Sequence, residues 1–300
     1  MDMDAQTAET AQTAHGLIGA DVAGVTLLTL HGRGHTGLVF TGFQRSLKRK
    51  IAVKLVPKEK TTARRFLDEA EVVAVMNHPH IVTVFDVGEF REYLYITMQL
   101  VDGDSLQTLI KRKLRHPVPS QRRVDLPTAL RTVAHTLDAL AYAHKAGVVH
   151  QDVKPGNILI EREGGRSYLV DFGIARTELT EEDSLFVHGT PLYMPPEQAR
   201  GEVTDARADV FATGATLWEC LSGTLPVPRL PSIKLVGIKA RRPWDFFEQT
   251  PSESSERIDR ELEAIIQKAT ASYREDRYAD CTEFLGKIRE YANNRLGLAL

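Results

Sequence analysis

Three glycines near the start of the chain could bind phosphate groups. Gly32, Gly34 and Gly37 form a GxGxxG pattern, and the missing side chains let backbone N–H groups approach phosphate oxygens closely. A dinucleotide-binding fingerprint needs a helix directly after the last glycine and an acid about twenty residues further on. Here the strand-forming run Leu38-Val39-Phe40 follows, and position 57 is a proline. The context therefore favours a glycine-rich turn between two strands over a dinucleotide site.

Lys54, in the next predicted strand, is the second candidate functional residue. It lies in the apolar run Ile51-Ala52-Val53-Lys54-Leu55-Val56, and a buried cation without a counter-charge is costly. Glu69, on the apolar stripe of the helix predicted next, is the natural partner. Taken alone, such a pair is more often exposed, and only the motifs further along the chain favour a buried pair.

Three motifs in the middle of the chain are the strongest signal. Residues 150–157 read His-Gln-Asp-Val-Lys-Pro-Gly-Asn, and Asp171-Phe172-Gly173 begins fourteen residues after Asn157. A predicted strand pair separates these two motifs, and Pro195-Pro196-Glu197 follows them. Each triplet could arise by chance, but not all of them in this order and at these separations.

This set of motifs resembles the protein kinase superfamily, in particular the bacterial serine/threonine kinases that are similar to eukaryotic ones. The resemblance covers about residues 24 to 292. It implies an α+β fold of two lobes, with the active site in the cleft between them. The small N-lobe would contain an antiparallel sheet and one helix, and the larger C-lobe would be mostly helical. We therefore expect a loose lead-in over residues 1–22, the N-lobe over 23–101, the C-lobe over 102–292 and a tail over 293–300.

The resemblance implies roles for four residues in transfer of the γ-phosphate of ATP. Asp152 would accept the proton of the substrate hydroxyl, and Lys154 would neutralise charge on the transferring group. Lys54 would hold the α- and β-phosphates, with Glu69 as its partner. Catalysis of this kind depends mainly on positioning and on electrostatic stabilisation of phosphate charge.

The resemblance also implies the cofactors ATP and Mg²⁺. Asn157 and Asp171 would hold Mg²⁺, a hard ion that is satisfied by oxygen ligands. Apolar side chains would enclose the adenine ring, and backbone groups would bond its edge. The residues that would contact ATP are the glycines Gly32, Gly34 and Gly37, the charged Lys54, the apolar Val39, Ala52 and Leu159, the carbonyl of Gln99 and the amide of Val101.

Further matches imply structural roles. Asp209 would brace the backbone of the 150–157 loop from a C-lobe helix. Glu197 and Arg277 would form a buried ion pair, although an exposed pair would be the better interpretation of these residues alone. A stack of side chains linking the lobes would consist of Val73, Val84, His150 and Phe172.

Gln151 departs from the family pattern, because it stands where the family has an arginine beside the catalytic aspartate. That arginine normally pairs with a phosphate on the activation segment, and glutamine cannot supply the charge. The segment from residue 174 to 189 is acidic and carries hydroxyls at Thr177, Thr180 and Ser184. We therefore predict a kinase whose activity depends only weakly on phosphorylation of these hydroxyls.

Two stretches favour serine and threonine over tyrosine as the phosphate acceptor. They are Asp152-Val153-Lys154-Pro155 and Gly189-Thr190-Pro191, and the resemblance implies that Thr190 bridges Asp152 and Lys154. Two alternatives stay open. A pseudokinase that binds nucleotide as a scaffold would fit Gln151, but the retained catalytic residues argue against it. A small-molecule phosphotransferase of similar fold would lack the segment that ends at Pro195-Pro196-Glu197.

The order of the predicted elements agrees with two lobes of different type. Strands come first and helices afterwards, which indicates an α+β protein rather than alternating βαβ units. Thr61 or Thr62 would cap the first helix, and Asn77-His78-Pro79 would end it. The predicted strands cover 25–30, 38–41, 51–56, about 81–87 and about 93–101. The first helix contains the periodic residues from Phe66 to Met76, and the main later helices cover 128–146, 209–222 and 258–271.

Composition narrows the class of protein. The net charge of −2 produces no field that would attract nucleic acid, and no apolar run reaches the length of a membrane span. Cys220 and Cys281 are the only cysteines, so a disulfide framework or zinc site is not expected and a reducing, cytoplasmic location fits. The expected partners are ATP and protein substrates with Ser or Thr, and a dimer for autophosphorylation stays an open alternative.

Overall fold

The computed structural model describes six stretches of the chain, which divide into two compact units. The described residues are 15–33, 37–60, 63–172, 191–228, 230–243 and 246–300, without the side chains of Arg33, Lys60, Arg65, Asp68 and Glu69. The sheet unit comprises the described residues up to Asn77 together with Val82–Leu100, and the helical unit comprises His78–Ile81 and the described residues from Val101 onward. No helix in these stretches combines the length and the apolar character needed to cross a membrane.

The sheet unit is built on six antiparallel strands in the order β1-β2-β3-β4-β6-β5. Residues Ile51 to Val56 of the central strand β4 are all buried, which fits a run rich in β-branched and apolar residues. The strands are β1 Asp21–Val22, β2 Val25–Arg33, β3 Leu38–Gln44, β4 Arg49–Pro57, β5 Val84–Phe90 and β6 Tyr93–Met98.

Residues 15–22, which the sequence places in a loose lead-in, pack on this sheet. Leu17 and Val22 are buried in its apolar core, and the Gly19 amide donates to the carbonyl of Leu27 at 2.8 Å. Asp21 and Val22 also form β1, which pairs with β2. The packed unit therefore begins earlier in the chain than residue 23, because these apolar side chains close the edge of the sheet.

The helix α1 Ala63–Ala74 accompanies the sheet. Its inward stripe contains Phe66, Ala70 and Val73, all buried as predicted. The helix ends two residues before Met76, whose amide bonds the carbonyl of Val73 in a tight turn. The predicted caps at residues 61 and 62 lie outside the described residues.

The helical unit contains the remaining elements. Its central helix α5 is buried at every position from Ala208 to Leu221, including the two carboxylates Asp209 and Glu219. The helices are α2 Leu106–Leu114, α3 Leu126–Lys145, α4 Pro196–Ala199, α5 Arg207–Ser222, α6 Ser232–Arg241, α7 Pro251–Ser254, α8 Arg260–Ala269 and α9 Cys281–Leu296. A small antiparallel sheet consists of β7 Gly103–Ser105, β8 Ile158–Glu161 and β9 Ser167–Leu169.

The predicted α+β architecture is confirmed, with one strand misplaced. The predicted strand over 81–87 is wrong at its start, since β5 begins at Val84. Residues 78–81 belong to the helical unit instead, where the carbonyl of His80 accepts from the Leu169 amide at 2.8 Å. Ile81 also forms a parallel bridge with Leu169. Ile81, the predicted first residue of the strand, therefore pairs with β9 instead of β6.

Candidate active site

Asp152 lies in the loop before β8, with one carboxylate oxygen engaged and the other open. Lys154 Nζ donates to Asp152 Oδ2 at 2.7 Å. Asn157 Nδ2 donates to the same oxygen at 3.0 Å and to the Asp152 carbonyl at 2.9 Å. Oδ1 has no hydrogen-bond partner within the described part of the chain, and the side chain is 35% exposed. A carboxylate held in this way can take a proton from a hydroxyl that approaches Oδ1.

The backbone of this loop is held by Asp209, a fully buried carboxylate on α5. Its Oδ2 accepts from the His150 amide at 2.8 Å and lies 2.8 Å from His144 Nε2, and its Oδ1 accepts from the Gln151 amide at 2.7 Å. These bonds support Gln151 in a left-handed conformation, φ 60°, which costs a residue with a side chain about 1–2 kcal/mol. The predicted bracing role of Asp209 is confirmed.

The His150 ring connects this loop to the segment after β9. Its Nε2 donates to the Val170 carbonyl at 2.9 Å, and its Nδ1 accepts from the Asp152 amide at 3.2 Å. The ring also packs against Phe172, with 4.6 Å between ring centroids. Of the predicted stack, His150 and Phe172 are therefore in contact in the helical unit, and Val73 and Val84 lie in the sheet unit.

Asn157 and Asp171 stand at the same end of the β8–β9 hairpin. The Val170 amide donates to the Asn157 carbonyl at 3.0 Å, which places Asp171 one residue further on, in a left-handed conformation with φ 62°. Because Nδ2 of Asn157 bonds Asp152, its Oδ1 remains as a potential metal ligand, and the Asp171 carboxylate is a second oxygen ligand from the same end of the hairpin. Mg²⁺ usually takes one or two protein oxygen ligands and completes its shell with phosphates and water, so these residues fit Mg²⁺.

The Gln151 side chain makes a neutral contact. Its Nε2 donates to Thr204 Oγ1 at 2.6 Å, in the loop between α4 and α5. No charge is available at this position to hold a phosphate. The hydroxyl residues Thr177, Thr180, Ser184 and Thr190, and Gly173 of the second motif, lie outside the described residues.

In the sheet unit, strand register aligns three predicted ATP contacts. Val39 on β3 lies opposite Lys54 on β4, and Ala52 lies opposite Met98 on β6. Ala52 and Lys54 point to the same face, since side chains alternate along a strand. Lys54 is only 4% exposed, so its predicted burial is confirmed. Glu69 lies on α1, but its side chain is outside the described part of the structure. Its predicted pairing with Lys54 therefore stays a prediction.

The glycine-rich turn is described at its two ends. Gly32 is in β2, opposite Val39, and Gly37 leads into β3. A Cβ atom on Gly37 would lie 2.0 Å from the Leu55 carbonyl oxygen, so only glycine fits this approach of two backbones. Gly34 lies outside the described residues.

Three further predicted ATP contacts are divided between the units. Gln99, in the sheet unit, is fixed by its amide, which donates to the Thr83 carbonyl at 2.9 Å. Val101 is buried in the helical unit. Leu159, also in the helical unit, is half-buried on β8 and lies opposite Ser105 of β7.

Glu197 and Arg277 form a buried, two-pronged ion pair in the helical unit. Arg277 Nη1 and Nη2 donate to Glu197 Oε1 and Oε2 at 2.7 and 2.8 Å, and the side chains are 0% and 2% exposed. Planar guanidinium and carboxylate groups match in this geometry. The predicted buried pair is confirmed, and it fixes the start of α4, which carries Glu197.

Lys239 is a buried charge that the sequence analysis missed. It is 0% exposed on α6, and its Nζ donates to the carbonyls of Pro191, Leu192 and Met194, the first two at 2.6 and 2.9 Å. The Phe246 ring lies 3.8 Å from Nζ. Burial lowers the pKa of Lys239 well below its ordinary value, whereas three carbonyl acceptors favour the ammonium form, because only that form has three N–H donors.

A second buried polar contact holds the same segment. The Tyr193 hydroxyl donates to Glu219 Oε2 of α5. Burial raises the pKa of Glu219, and burial together with the adjacent Glu219 carboxylate raises the pKa of Tyr193. A small cavity lies between residues 193–195 and the loop 150–157. Its lining includes Gln151, Asp152 and Val153 from the loop and Tyr193, Met194 and Pro195 from the other side. Residues 193–195 therefore lie beside Asp152.

Comparison with known proteins identifies relatives of this arrangement. The family model of the protein kinase domain matches residues 26–287. A probable serine/threonine-protein kinase PknB of Bifidobacterium longum is 33% identical over 287 residues, which cover 90% of this chain and 40% of that protein. Serine/threonine-protein kinase pkn3 of Myxococcus xanthus is 34% identical over 285 residues, covering 89% and 49%. The chain spans about 40% of the length of several curated relatives that it matches.

Solved structures of protein kinases are also similar to this chain. The crystal structure of the Mycobacterium tuberculosis PknI kinase domain is similar with a TM-score of 0.71 and 29% identity, covering 91% of this chain and 98% of that one. A Rad53 fragment in complex with AMP-PNP has a TM-score of 0.71 and 25% identity, covering 88% of this chain and 64% of that one.

Proposed function

The chain belongs to the protein kinase domain family, and from this premise we propose that it transfers the γ-phosphate of ATP to serine and threonine hydroxyls of proteins. The observation that carries the proposal is the arrangement of Asp152, in which Lys154 and Asn157 hold one carboxylate oxygen and leave the other accessible. Relatives with this family's sequence are named serine/threonine-protein kinases. Any activity, substrate or partner of a longer protein that contains this chain is proposed on the same basis.

In the proposed reaction, Asp152 acts as the base. The substrate hydroxyl donates a hydrogen bond to Oδ1 of Asp152, and its oxygen attacks the γ-phosphorus of ATP. The bond from phosphorus to the β,γ-bridging oxygen breaks, ADP leaves, and the hydroxyl proton passes to the carboxylate. Lys154, 2.7 Å from Asp152 Oδ2, supplies positive charge beside the transferring group. Such a reaction needs little beyond positioning and neutralisation of phosphate charge.

The metal ion is assigned to the residues that fit it. Asn157 Oδ1 and the Asp171 carboxylate would hold Mg²⁺, which supplies positive charge to the phosphates when bound. The His150 ring bonds the carbonyl of Val170, the residue before Asp171, and the amide of Asp152. Asp152 in turn accepts from Asn157, so His150 connects the two proposed ligands indirectly. The support for the metal assignment is this coupling and the hard oxygen donors.

ATP binding is proposed for the residues whose burial and register favour it. Lys54, with Glu69 as its partner, would hold the α- and β-phosphates under the glycines Gly32, Gly34 and Gly37. Ala52 shares the face of Lys54 on β4 and would contact adenine. The similar Rad53 fragment is bound to AMP-PNP, which supports ATP as the phosphate donor. The remaining proposed contacts are Val39, Leu159, the Gln99 carbonyl and the Val101 amide.

A weak dependence on activation-segment phosphorylation is also proposed. The support is the bond from Gln151 to Thr204, which uses the side-chain amide and provides no charge for a phosphate. Acidic residues 178, 181, 182 and 183 in the same segment would repel a phosphate dianion. Both effects reduce the gain from docking a phosphate beside Asp152.

A scaffold without turnover is the weaker candidate. Lys54, Asp152, Asn157 and Asp171 are all retained, and Asp152 has the geometry that proton transfer needs. The two cysteines, Cys220 and Cys281, are free thiols buried in the helical unit, which supports a proposed cytoplasmic location. Dimerisation for autophosphorylation stays a prediction.

The test is direct transfer. The purified chain is incubated with γ-labelled ATP, Mg²⁺ and a generic protein substrate, and the modified residues are mapped by mass spectrometry. The proposal expects phosphoserine and phosphothreonine that require Mg²⁺. Nucleotide binding without labelled protein, across several substrates, would favour the scaffold instead.

A further inference from the structure

We propose that Lys239 positions the peptide-binding platform of this kinase, an inference that rests on the proposed function. The platform is residues 191–197, which end at Pro195-Pro196-Glu197 and would receive the backbone of the protein substrate. Lys239 acts through the carbonyls of the platform and is therefore a positioning residue rather than a catalytic one.

The carbonyl bonds fix the path of the platform. Residues 191–195 form no helix or strand, so their carbonyls lack the partners that regular structure provides. Lys239 donates hydrogen bonds to three of these carbonyls, within four consecutive residues. Its side chain is buried, so water cannot replace its Nζ as the donor. An ammonium group has three N–H donors, so each bond uses one donor and none is left over. Any shift in the path of this segment breaks at least one of these bonds.

The environment of Lys239 favours its charge despite burial. The Phe246 ring lies 3.8 Å from Nζ and the Phe211 ring lies 5.0 Å away, so the ammonium meets two aromatic faces. The Arg277–Glu197 pair is close enough to affect Lys239, with Arg277 disfavouring the ammonium and Glu197 favouring it. The charge on Lys239 thus forms part of the buried polar layer beneath the platform.

The position of the platform matters because it adjoins the catalytic base. Tyr193, Met194 and Pro195 line the same small cavity as Asp152. A peptide bound on the platform must present its hydroxyl to Oδ1 of Asp152, and a platform that is correctly placed only part of the time binds the peptide more weakly by that fraction. Lys239 therefore controls where the substrate lies relative to Asp152 within the helical unit.

Loss of Lys239 should loosen the platform without unfolding the unit. Tyr193 remains bonded to Glu219, and Glu197 remains paired with Arg277. Removing the ammonium leaves carbonyls unpaired, which is unfavourable, but it also removes a buried charge, which is favourable. These two effects oppose each other in the free energy of unfolding. In either case, Lys239 no longer fixes the path of residues 191–194.

The experiment compares Lys239→Met with a matched control on the same helix, Lys234→Met, whose lysine is exposed. Initial rates are measured against protein substrate and against ATP. We expect the KM for protein substrate to rise about tenfold or more in Lys239→Met, with the KM for ATP unchanged and kcat at saturating substrate within about threefold of wild type. Lys239→Gln keeps two N–H donors and should fall between wild type and Lys239→Met. Lys234→Met should match wild type.

Hydrogen–deuterium exchange provides a readout that does not depend on activity. Amides of residues 192–194 should exchange faster in Lys239→Met, while those of α5 stay protected. Equal changes in both KM values, or an unchanged KM for protein substrate in a folded variant, would overturn the inference. If Lys239→Met does not fold, the same criteria apply to Lys239→Gln. A wild-type chain that transfers no phosphate would instead refute the proposed function, and faster exchange of residues 192–194 would then still separate anchoring from catalysis.

Discussion

Asp209→Asn is the perturbation that tests the support of the catalytic loop. The native carboxylate accepts three hydrogen bonds, two at Oδ2 from His150 and His144 and one at Oδ1 from Gln151. Asparagine keeps the size and one acceptor oxygen, but its NH₂ group would face the two N–H groups from which Oδ2 now accepts hydrogen bonds. Two charge-assisted bonds are then lost, at about 1.5–3 kcal/mol each. We expect a loss of about 3–6 kcal/mol in the free energy of unfolding.

Urea unfolding followed by circular dichroism measures this loss, and initial rates at permissive temperature measure the effect on Asp152. The control is Asp104→Asn, which breaks a surface ion pair with Arg112 and should cost no more than about 1 kcal/mol. Because the Gln151 backbone would lose its support, kcat should fall with stability in Asp209→Asn. A variant whose free energy of unfolding lies within about 1 kcal/mol of the control would refute the view that buried bonds to Asp209 hold the loop.

Three further predictions concern metal, regulation and pH. Mg·ATP should raise Tm, as any ligand selective for the native state does, and Asp171→Asn should remove the magnesium-dependent part; a shift indifferent to both would contradict the metal assignment. The triple variant Thr177→Ala, Thr180→Ala, Ser184→Ala and phosphatase-treated wild type should each keep kcat within about tenfold of wild type that has been incubated with Mg·ATP, and a larger fall in both would show that a phosphate switch survives. Burial lowers the pKa of His135 to about 4, so stability present above pH 6.5 should decline by about 1–2 kcal/mol between pH 6.5 and 4, after allowance for solvent screening. His135→Gln should flatten the dependence of the free energy of unfolding on pH over this range. An unchanged dependence would refute the role given to His135.

The sequence predicted those features in which a motif and its structural context coincide. The Asp209 brace and the Glu197–Arg277 pair were predicted because the family pattern places these residues at fixed positions. The structure confirms both, with buried charges satisfied by geometry that only the fold could reveal. The burial of Lys54 was likewise predicted from the motifs further along the chain, since its own strand left an exposed lysine as the more common case.

The missed features depend on tertiary contacts. Lys239 lies four residues after Leu235, on the buried stripe of α6, but a lysine in a helix ordinarily indicates a solvated position. Only the three carbonyls of residues 191, 192 and 194 explain its burial. Similarly, Ile81 was predicted to begin a strand, and its pairing with Leu169 of β9 in the helical unit could not be predicted from the local pattern.

Asp152→Asn tests the central claim most directly. Transfer of the γ-phosphate to a protein substrate is measured for this variant and for Glu256→Gln, which neutralises an exposed carboxylate. The account predicts that Asp152→Asn lowers kcat by at least about 100-fold, the usual contribution of a positioned base, while its Tm and its Mg·ATP-induced shift in Tm stay near wild type and Glu256→Gln keeps full activity. Transfer by a folded Asp152→Asn protein within about threefold of wild type would contradict the role of Asp152 and the mechanism built on it.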